Sequence, residues 1–249
     1  MDDSTYRLQL RFDPIRLTQD LARITPDKWQ PHFVNIHYED GWSGVALRSP
    51  GGATELAHGA NPYADTDVLR GCPYFQEVLA AFQCPLNRVR LLKLARGARI
   101  LEHIDPESGQ GQREVRIHVP IVTHADLELY SNRRRVTMAP GETWFLDTSY
   151  PHRLYNGSPV DRIHLVIDCT VNDWVRSLFP PSFARSTRRD RLAYKLRVAR
   201  YFGHDLWRAA RRSDWAEYRR REATLLREFG LDRLGRALRR RLRRARREV

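Results

Sequence analysis

Between residues 98 and 170 the sequence alternates with a period of two. In "EVRIHVPIV", Val115, Ile117, Val119 and Ile121 alternate with Arg116, His118 and Pro120. In "RIHLVID", Ile163, Leu165 and Ile167 alternate with Arg162, His164 and Val166. Side chains point to opposite faces of a strand in turn, so each stretch buries one apolar face. The other face is unusual, because it carries Arg and His where a solvent-facing strand would carry Thr, Lys or Glu. In a sandwich or jelly roll one face of each sheet lines the interior, so an Arg/His face there can be a site. "RRRVTMAPGETWFLD" adds a strand, a Pro140-Gly141 turn and another strand. The expected core is therefore an antiparallel sandwich or jelly roll.

Upstream the pattern is mixed. "RLTQDLARI" spaces Leu17, Leu21 and Ile24 as a helix does, and "CPYFQEVLAAF" opens on Pro73, a residue suited to a first helical position. "HFVNIHY", "WSGVALRS" and "NRVRLLKLARG" read as strands, with Asp40-Gly41 as a turn and Gly97 as a stop. After "SLFPPSF", Pro180-Pro181 reads as a hinge before three amphipathic helices. The expected architecture is α+β with a mainly β core: a jelly-roll domain over residues 1–179 (core about 88–170), flanking N-terminal helices, and a basic helical extension over 185–249.

Charge separates the same two regions. Residues 185–249 hold 23 of the 43 basic and 8 of the 30 acidic residues, a net of +15 against −2 for the rest of the chain. Such a tail suits either a solvated helical bundle or a surface for an anionic partner, nucleic acid or membrane. Only three of the basic residues are Lys. No stretch of 18 apolar residues is present, so no membrane span is expected. The opening "MDDSTYRLQL" lacks a basic then apolar pattern, so no secretory signal is expected either. Cys72, Cys84 and Cys169 are few, odd in number and without CxxC spacing, which suits a reducing compartment. The expected location is cytoplasmic, with membrane-peripheral binding through the tail left open.

"HIDP" at 103–106 carries the chemistry. An H-x-D pair in extended chain turns both side chains to one face. Two imidazoles and one carboxylate hold iron(II) in oxygenases and leave three coordination positions open. His103 and Asp105 supply two of these ligands, and His152, at the end of "WFLDTSYPH", can supply the third. A 2-oxoglutarate cosubstrate would also need a buried cation for its far carboxylate, for which the planar fork of Arg is suited. Arg162 lies ten residues after His152, and Arg116 with His118 share a strand face that could reach the same cavity.

Taken together, "HIDP…REVRIHVPIVT…GETWFLDTSYPHRLYN…DRIHLVID" resembles the aspartyl/asparaginyl β-hydroxylase family of iron(II)- and 2-oxoglutarate-dependent dioxygenases, related also to bacterial proline hydroxylases. The resemblance covers roughly residues 88–170 and omits the basic tail. It implies a double-stranded β-helix and a metal held by His103, Asp105 and His152. It implies cosubstrate anchoring by Arg162, with Arg116 and His118 lining the cavity. It further implies consumption of dioxygen and release of succinate and carbon dioxide as an unactivated C–H is hydroxylated. The animal members of the family lack the carboxylate ligand. Asp105 departs from them, and it argues against halogenation, which needs that position vacated. An amino-acid side chain, a peptide side chain or a lipid acyl chain could be the substrate. A non-enzymatic jelly-roll binding module is the alternative from another class.

Overall fold

A computed structural model describes residues 4–32, 41–56, 62–105 and 114–181, together with residues 196, 199, 200, 203, 204, 206, 207, 211 and 212. The chain divides into two compact units, 1–185 and 186–249. In the second unit the described residues are helical apart from a turn at Arg212. The other residues of the expected C-terminal helices lie outside the described residues, as does most of the strand expected at 32–38.

The first unit is mainly β. Its elements run β1 (Thr5–Arg11), α1 (Pro14–Leu21), a 3-10 turn (Pro26–Lys28), β2 (Gln30–Pro31), β3 (Trp42–Pro50), β4 (Tyr63–Asp65), α2 (Asp67–Arg70) and α3 (Pro73–Ala80). They continue β5 (Leu86–Leu94), β6 (Arg99–His103), β7 (Glu114–Val122), β8 (Leu127–Ser131), β9 (Arg134–Val136), β10 (Glu142–Leu146), β11 (His152–Asn156), β12 (Arg162–Thr170) and α4 (Asp173–Ser177). Local chemistry starts the helices. Asp13 accepts from the amides of Ile15 and Arg16 ahead of Pro14, and Asn172 accepts from that of Val175.

The strands form two antiparallel sheets. The larger runs β1-β10-β7-β12-β5-β3-β2, with β4 paired to β3, and the smaller runs β6-β11-β8-β9. Each alternating strand of the large sheet serves two environments. Ile117 of β7, Leu165 of β12, Leu91 of β5 and Leu47 of β3 join Leu17 of α1, Phe75 of α3 and Val175 of α4 in the principal core. All are buried completely or nearly so, and each such side chain contributes about 1.5–3 kcal/mol. The opposite face of the large sheet meets the small sheet. There Leu94, Trp42 and Trp144 pack with Ile100, Leu129, Val136 and Leu154 in a second, smaller core. Trp144 and Phe145 are thus both packing residues, one in each core.

Gly141 shows why the Pro140-Gly141 turn needs glycine. Its φ is +75°, and a Cβ there would stand 2.1 Å from the Phe12 carbonyl oxygen. The β8–β9 hairpin turns instead through Asn132 and Arg133, with φ of 47° and 65°. Paired positive φ values at a two-residue loop match the twist of the flanking strands.

Candidate metal and anion site

The second face of the large sheet is apolar where the second core lies and at Leu92 and Val166. Elsewhere it presents Arg90 on β5, Arg116 and His118 on β7, and Arg162, His164 and Asp168 on β12. All are buried apart from the half-buried Arg116. The period-two pattern of β7 and β12 places them there.

The small sheet brings the candidate ligands to the same interior. His152 opens β11 and pairs directly with His103, the last residue of β6. Two steps along β11, Leu154 pairs with Ile100, three residues back on β6. The extra residue is a β-bulge, and it turns both Ile100 and His103 inward, which an unbroken period of two forbids. His103 is 3% exposed. Its Nδ1 lies 2.8 Å from the carbonyl of Leu101, inside the bulge. A carbonyl only accepts, so Nδ1 carries the proton, and Nε2 lies 3.7 Å from Asp105 Oδ1. His152 repeats the device, with Nδ1 3.0 Å from the Tyr150 carbonyl. That carbonyl sits in a turn fixed by Asp147, whose carboxylate accepts from the Ser149 amide and hydroxyl. Asp147 thus orders the approach to His152.

Asp105 is placed by its own backbone, which donates to the Thr148 carbonyl at 2.7 Å. The ligand atoms of His103, Asp105 and His152 lie within 4.8 Å of one another. This set suits a divalent metal: two tautomer-fixed imidazoles and one carboxylate, two of the three set by backbone carbonyls. Burial, together with the nearby His103, pushes His152 down to about 3 although Asp105 opposes it, so its imidazole is neutral at neutral pH, as a metal ligand must be. Burial works to raise the Asp105 carboxyl, but Arg116 and the two imidazoles outweigh it and hold it well below the usual carboxylate range.

Arg116 and Arg162 are treated differently. Arg116 Nη1 grips Asp105 Oδ2 at 2.6 Å, while its Nε reaches Asp168 Oδ1 at 2.8 Å. Asp168 is fully buried and also meets Arg90 at 2.9 Å and Arg88 at 3.0 Å. One carboxylate therefore serves three guanidinium groups. Arg116, expected to line the cosubstrate cavity, is bound instead to a candidate ligand and to this hub. Arg162 has no acidic partner among the described residues. It is 6% exposed, and burial alone pushes it down to about 9. Its Nη2 donates to His164 Nδ1 at 2.7 Å, which puts the His164 proton on Nε2. That Nε2, Arg162 Nε and both nitrogens of His118 are buried without a hydrogen-bond partner. Buried polar atoms are nearly always paired, so this cluster has the chemistry of an anion cradle. Burial and the charge of Arg162 keep both imidazoles neutral, well below their ordinary value.

Sequence reasoning left out Asp168, Arg88, Arg90 and His164. The signal was present, since Arg88 and Arg90 alternate with Val89 and Leu91 just as Arg116 and His118 do with their apolar neighbours. Arg48 is engaged with Asp65 and the carbonyls of Tyr63 and Leu86, and Ser49 with the Ala53 carbonyl, so both tie down the β3–β4 region. His124 and His204 are exposed.

Comparison with known proteins agrees with the motif reading. The family model for aspartyl/asparaginyl beta-hydroxylase matches residues 15–171. L-proline cis-4-hydroxylase from Rhizobium meliloti (strain 1021) is 26% identical over 187 residues, covering 73% of this chain and 64% of that protein. The match thus spans less than two thirds of that relative's length. Among solved structures, a prolyl hydroxylase from Trichoplax adhaerens, in complex with a hypoxia inducible factor peptide fragment, aligns with a TM-score of 0.46 at 11% identity. That alignment covers 72% of this chain and 88% of that one. A prolyl-4-hydroxylase from Pseudomonas putida aligns with a TM-score of 0.43 at 11% identity, covering 68% and 94%. With a family match that runs over more than half of its length and takes in all three candidate ligands, the chain belongs to the aspartyl/asparaginyl β-hydroxylase family.

Proposed function

We propose that this chain is an iron(II)- and 2-oxoglutarate-dependent dioxygenase that hydroxylates an unactivated C–H of an amino acid or peptide side chain. In this reading the two sheets are the halves of a double-stranded β-helix. His103, Asp105 and His152 hold the iron, and Arg162 with His118 and His164 holds the far carboxylate of 2-oxoglutarate. The observation that carries it is the pairing of two complementary features in one interior: a metal-type triad and, on the facing sheet, a buried arginine with no acidic partner among the described residues. The relative's activity on L-proline supports an amino-acid substrate.

When bound, iron and 2-oxoglutarate supply the oxidising chemistry, in which dioxygen, 2-oxoglutarate and a substrate C–H yield succinate, carbon dioxide and a C–OH. The chain's own part is preorganisation. The Leu101 and Tyr150 carbonyls hold the two imidazoles as Nε2 ligands. Arg116 occupies Asp105 Oδ2, which favours Oδ1 as the metal-binding oxygen. Arg162 Nε and His164 Nε2 offer donors to one end of a dicarboxylate. Burial keeps His118 and His164 uncharged, so the cradle recognises an anion through Arg162 and not through a proton-dependent histidine pair.

Metal and cosubstrate titrations of the full chain test this. The wild-type protein should bind one Fe(II) or Ni(II) and then 2-oxoglutarate. Asp105→Ala should weaken metal binding at least 100-fold, and Arg162→Met should raise the 2-oxoglutarate requirement 10-fold or more with metal affinity retained. Full metal binding by Asp105→Ala, or an unaltered 2-oxoglutarate requirement in Arg162→Met, rejects the corresponding assignment.

A further inference from the structure

The second compact unit, 186–249, carries a surface that the proposed chemistry does not use. Its described residues from 196 to 211 are helical. At 3.6 residues per turn, Leu196, Arg200, Gly203, His204, Trp207 and Arg211 fall within one arc about 100° wide. All six are exposed. Ala199 and Leu206 lie roughly a quarter turn from the middle of that arc and are half-buried. Helical spacing and exposure thus pick out the same outward stripe.

The stripe has an apolar centre. Leu196 is 61% exposed and Trp207 56%. A Cβ added at Gly203, between them along the chain, would meet nothing within 4 Å, so this side of the helix is open. Cations stand beside the centre. The Arg211 guanidinium lies 4.9 Å from the centroid of the Trp207 ring, and the His204 ring stacks on that indole at 6.2 Å. Arg200 and Arg211 have no acidic partner among the described residues. Over 196–212 the sequence holds five arginines and one acid, Asp205, and residues 185–249 carry a net charge of +15.

Three kinds of partner could meet such a stripe, and they use its features differently. Nucleic acid would take the arginines and stack on Trp207, but it offers nothing to Leu196, which gains only by leaving water for an apolar phase. A second copy of the chain would set one strongly basic surface against another. An anionic bilayer answers every feature at once. Its acidic headgroups attract the arginines, its acyl boundary takes the leucine, and tryptophan favours the interface between the two. No helix among the described residues is long and apolar enough to cross a membrane, so the contact is one of a helix lying on the surface.

We propose that the 196–211 stripe is a peripheral membrane-binding surface, which lays Leu196 and Trp207 into the headgroup boundary of an anionic bilayer while Arg200 and Arg211 engage the acidic headgroups. The proposal is independent of the dioxygenase reading, because it needs neither metal nor cosubstrate.

The test is co-sedimentation of the full chain with vesicles of phosphatidylglycerol and phosphatidylcholine in equal parts, and with vesicles of phosphatidylcholine alone, at 0.15 M salt. Wild type should bind the mixed vesicles at least about 30-fold more tightly than the neutral ones. An arginine near an anionic surface contributes about fivefold, so Arg200→Glu with Arg211→Glu should weaken binding about 30-fold or more. Leu196→Gln with Trp207→Gln keeps the charge and should still weaken it about 10-fold or more. Both double variants change exposed side chains, so Tm should stay within about 2 °C of wild type. A single-stranded 20-mer of thymidine, used as a competitor, should not release the protein from the mixed vesicles. Equal binding to the two vesicle types, no binding to either, or unchanged binding by the Leu196 and Trp207 variant overturns the proposal. Release by the oligonucleotide assigns the stripe to nucleic acid instead, and a larger fall in Tm shows that the stripe packs within the protein; either result also overturns it.

Discussion

Asp168→Asn is the substitution to which the interior should be most sensitive. The carboxylate is fully buried and takes four contacts: Arg116 Nε at 2.8 Å and Nη2 at 3.4 Å, Arg90 at 2.9 Å and Arg88 at 3.0 Å. Asparagine has nearly the same shape, but it replaces one acceptor oxygen with an NH2 that faces guanidinium donors. It also leaves three buried cations without their shared anion. Breaking a buried ion pair in this one-sided way costs about 3–5 kcal/mol. For a chain of this size, each 1 kcal/mol lowers Tm by roughly 2–4 °C, so a fall of about 6–20 °C is expected. A second effect passes through Arg116. Once released from Asp168, its guanidinium no longer holds Asp105 Oδ2 in a fixed position, and metal affinity should fall about 10- to 100-fold, as it does when outer-shell partners of metal ligands are removed. Thermal unfolding of the metal-free protein and Ni(II) titration measure the two effects separately. A Tm within 2 °C of wild type, with metal affinity within threefold, would refute Asp168 as the hub that positions Arg116.

Two further outcomes concern stability. His118 and His164 are held neutral, with folded pKa values well below 6.5, by burial first and then by the charge of Arg162. Because the unfolded chain takes up their protons near pH 6.5, their contribution is fully present above that pH. It is lost as pH falls below it, by up to about 1.4 kcal/mol per pH unit for each group. Urea unfolding at pH 7.5, 6 and 5 should therefore show stability declining well above the carboxylate range, and a flat profile would contradict the burial of neutral imidazoles. Arg133 carries a φ of 65° in the β8–β9 turn. Arg133→Gly should raise stability by about 1 kcal/mol, read as a Tm increase of roughly 2–4 °C.

Much of this architecture was legible because it rests on periodicity. The alternation in β7 and β12 separates a face made for a hydrophobic core from one made of Arg and His, and the two faces meet those environments. Pro73 and the Leu17–Ile24 spacing likewise gave α3 and α1, whose starts depend on local chemistry. His103, Asp105, His152 and Arg162 stand out together in the sequence because a metal-type triad beside a strand arginine is a combination that few residue sets meet.

What periodicity could not supply is register. The bulge in β6 is invisible in "RILEH", and without it His103 and Ile100 would face opposite sides of the small sheet. Nor does the sequence distinguish the arginines from one another. Arg88, Arg90, Arg116 and Arg162 all alternate with apolar neighbours, and all read alike. Their difference arises from which residue stands across the sheet. Arg116 stands opposite Asp168 and is pinned by it, whereas Arg162 stands opposite Leu94 and is not. Strand pairing therefore decides which buried cations are structural and which are left to bind an anion. A one-residue slip of β12 against β7 would turn Asp168, together with Arg162 and His164, out of the interior and leave Arg116 held by Asp105 alone. The anion specificity proposed for this interior is thus a property of sheet register, and the strand motifs carry it only once they are paired.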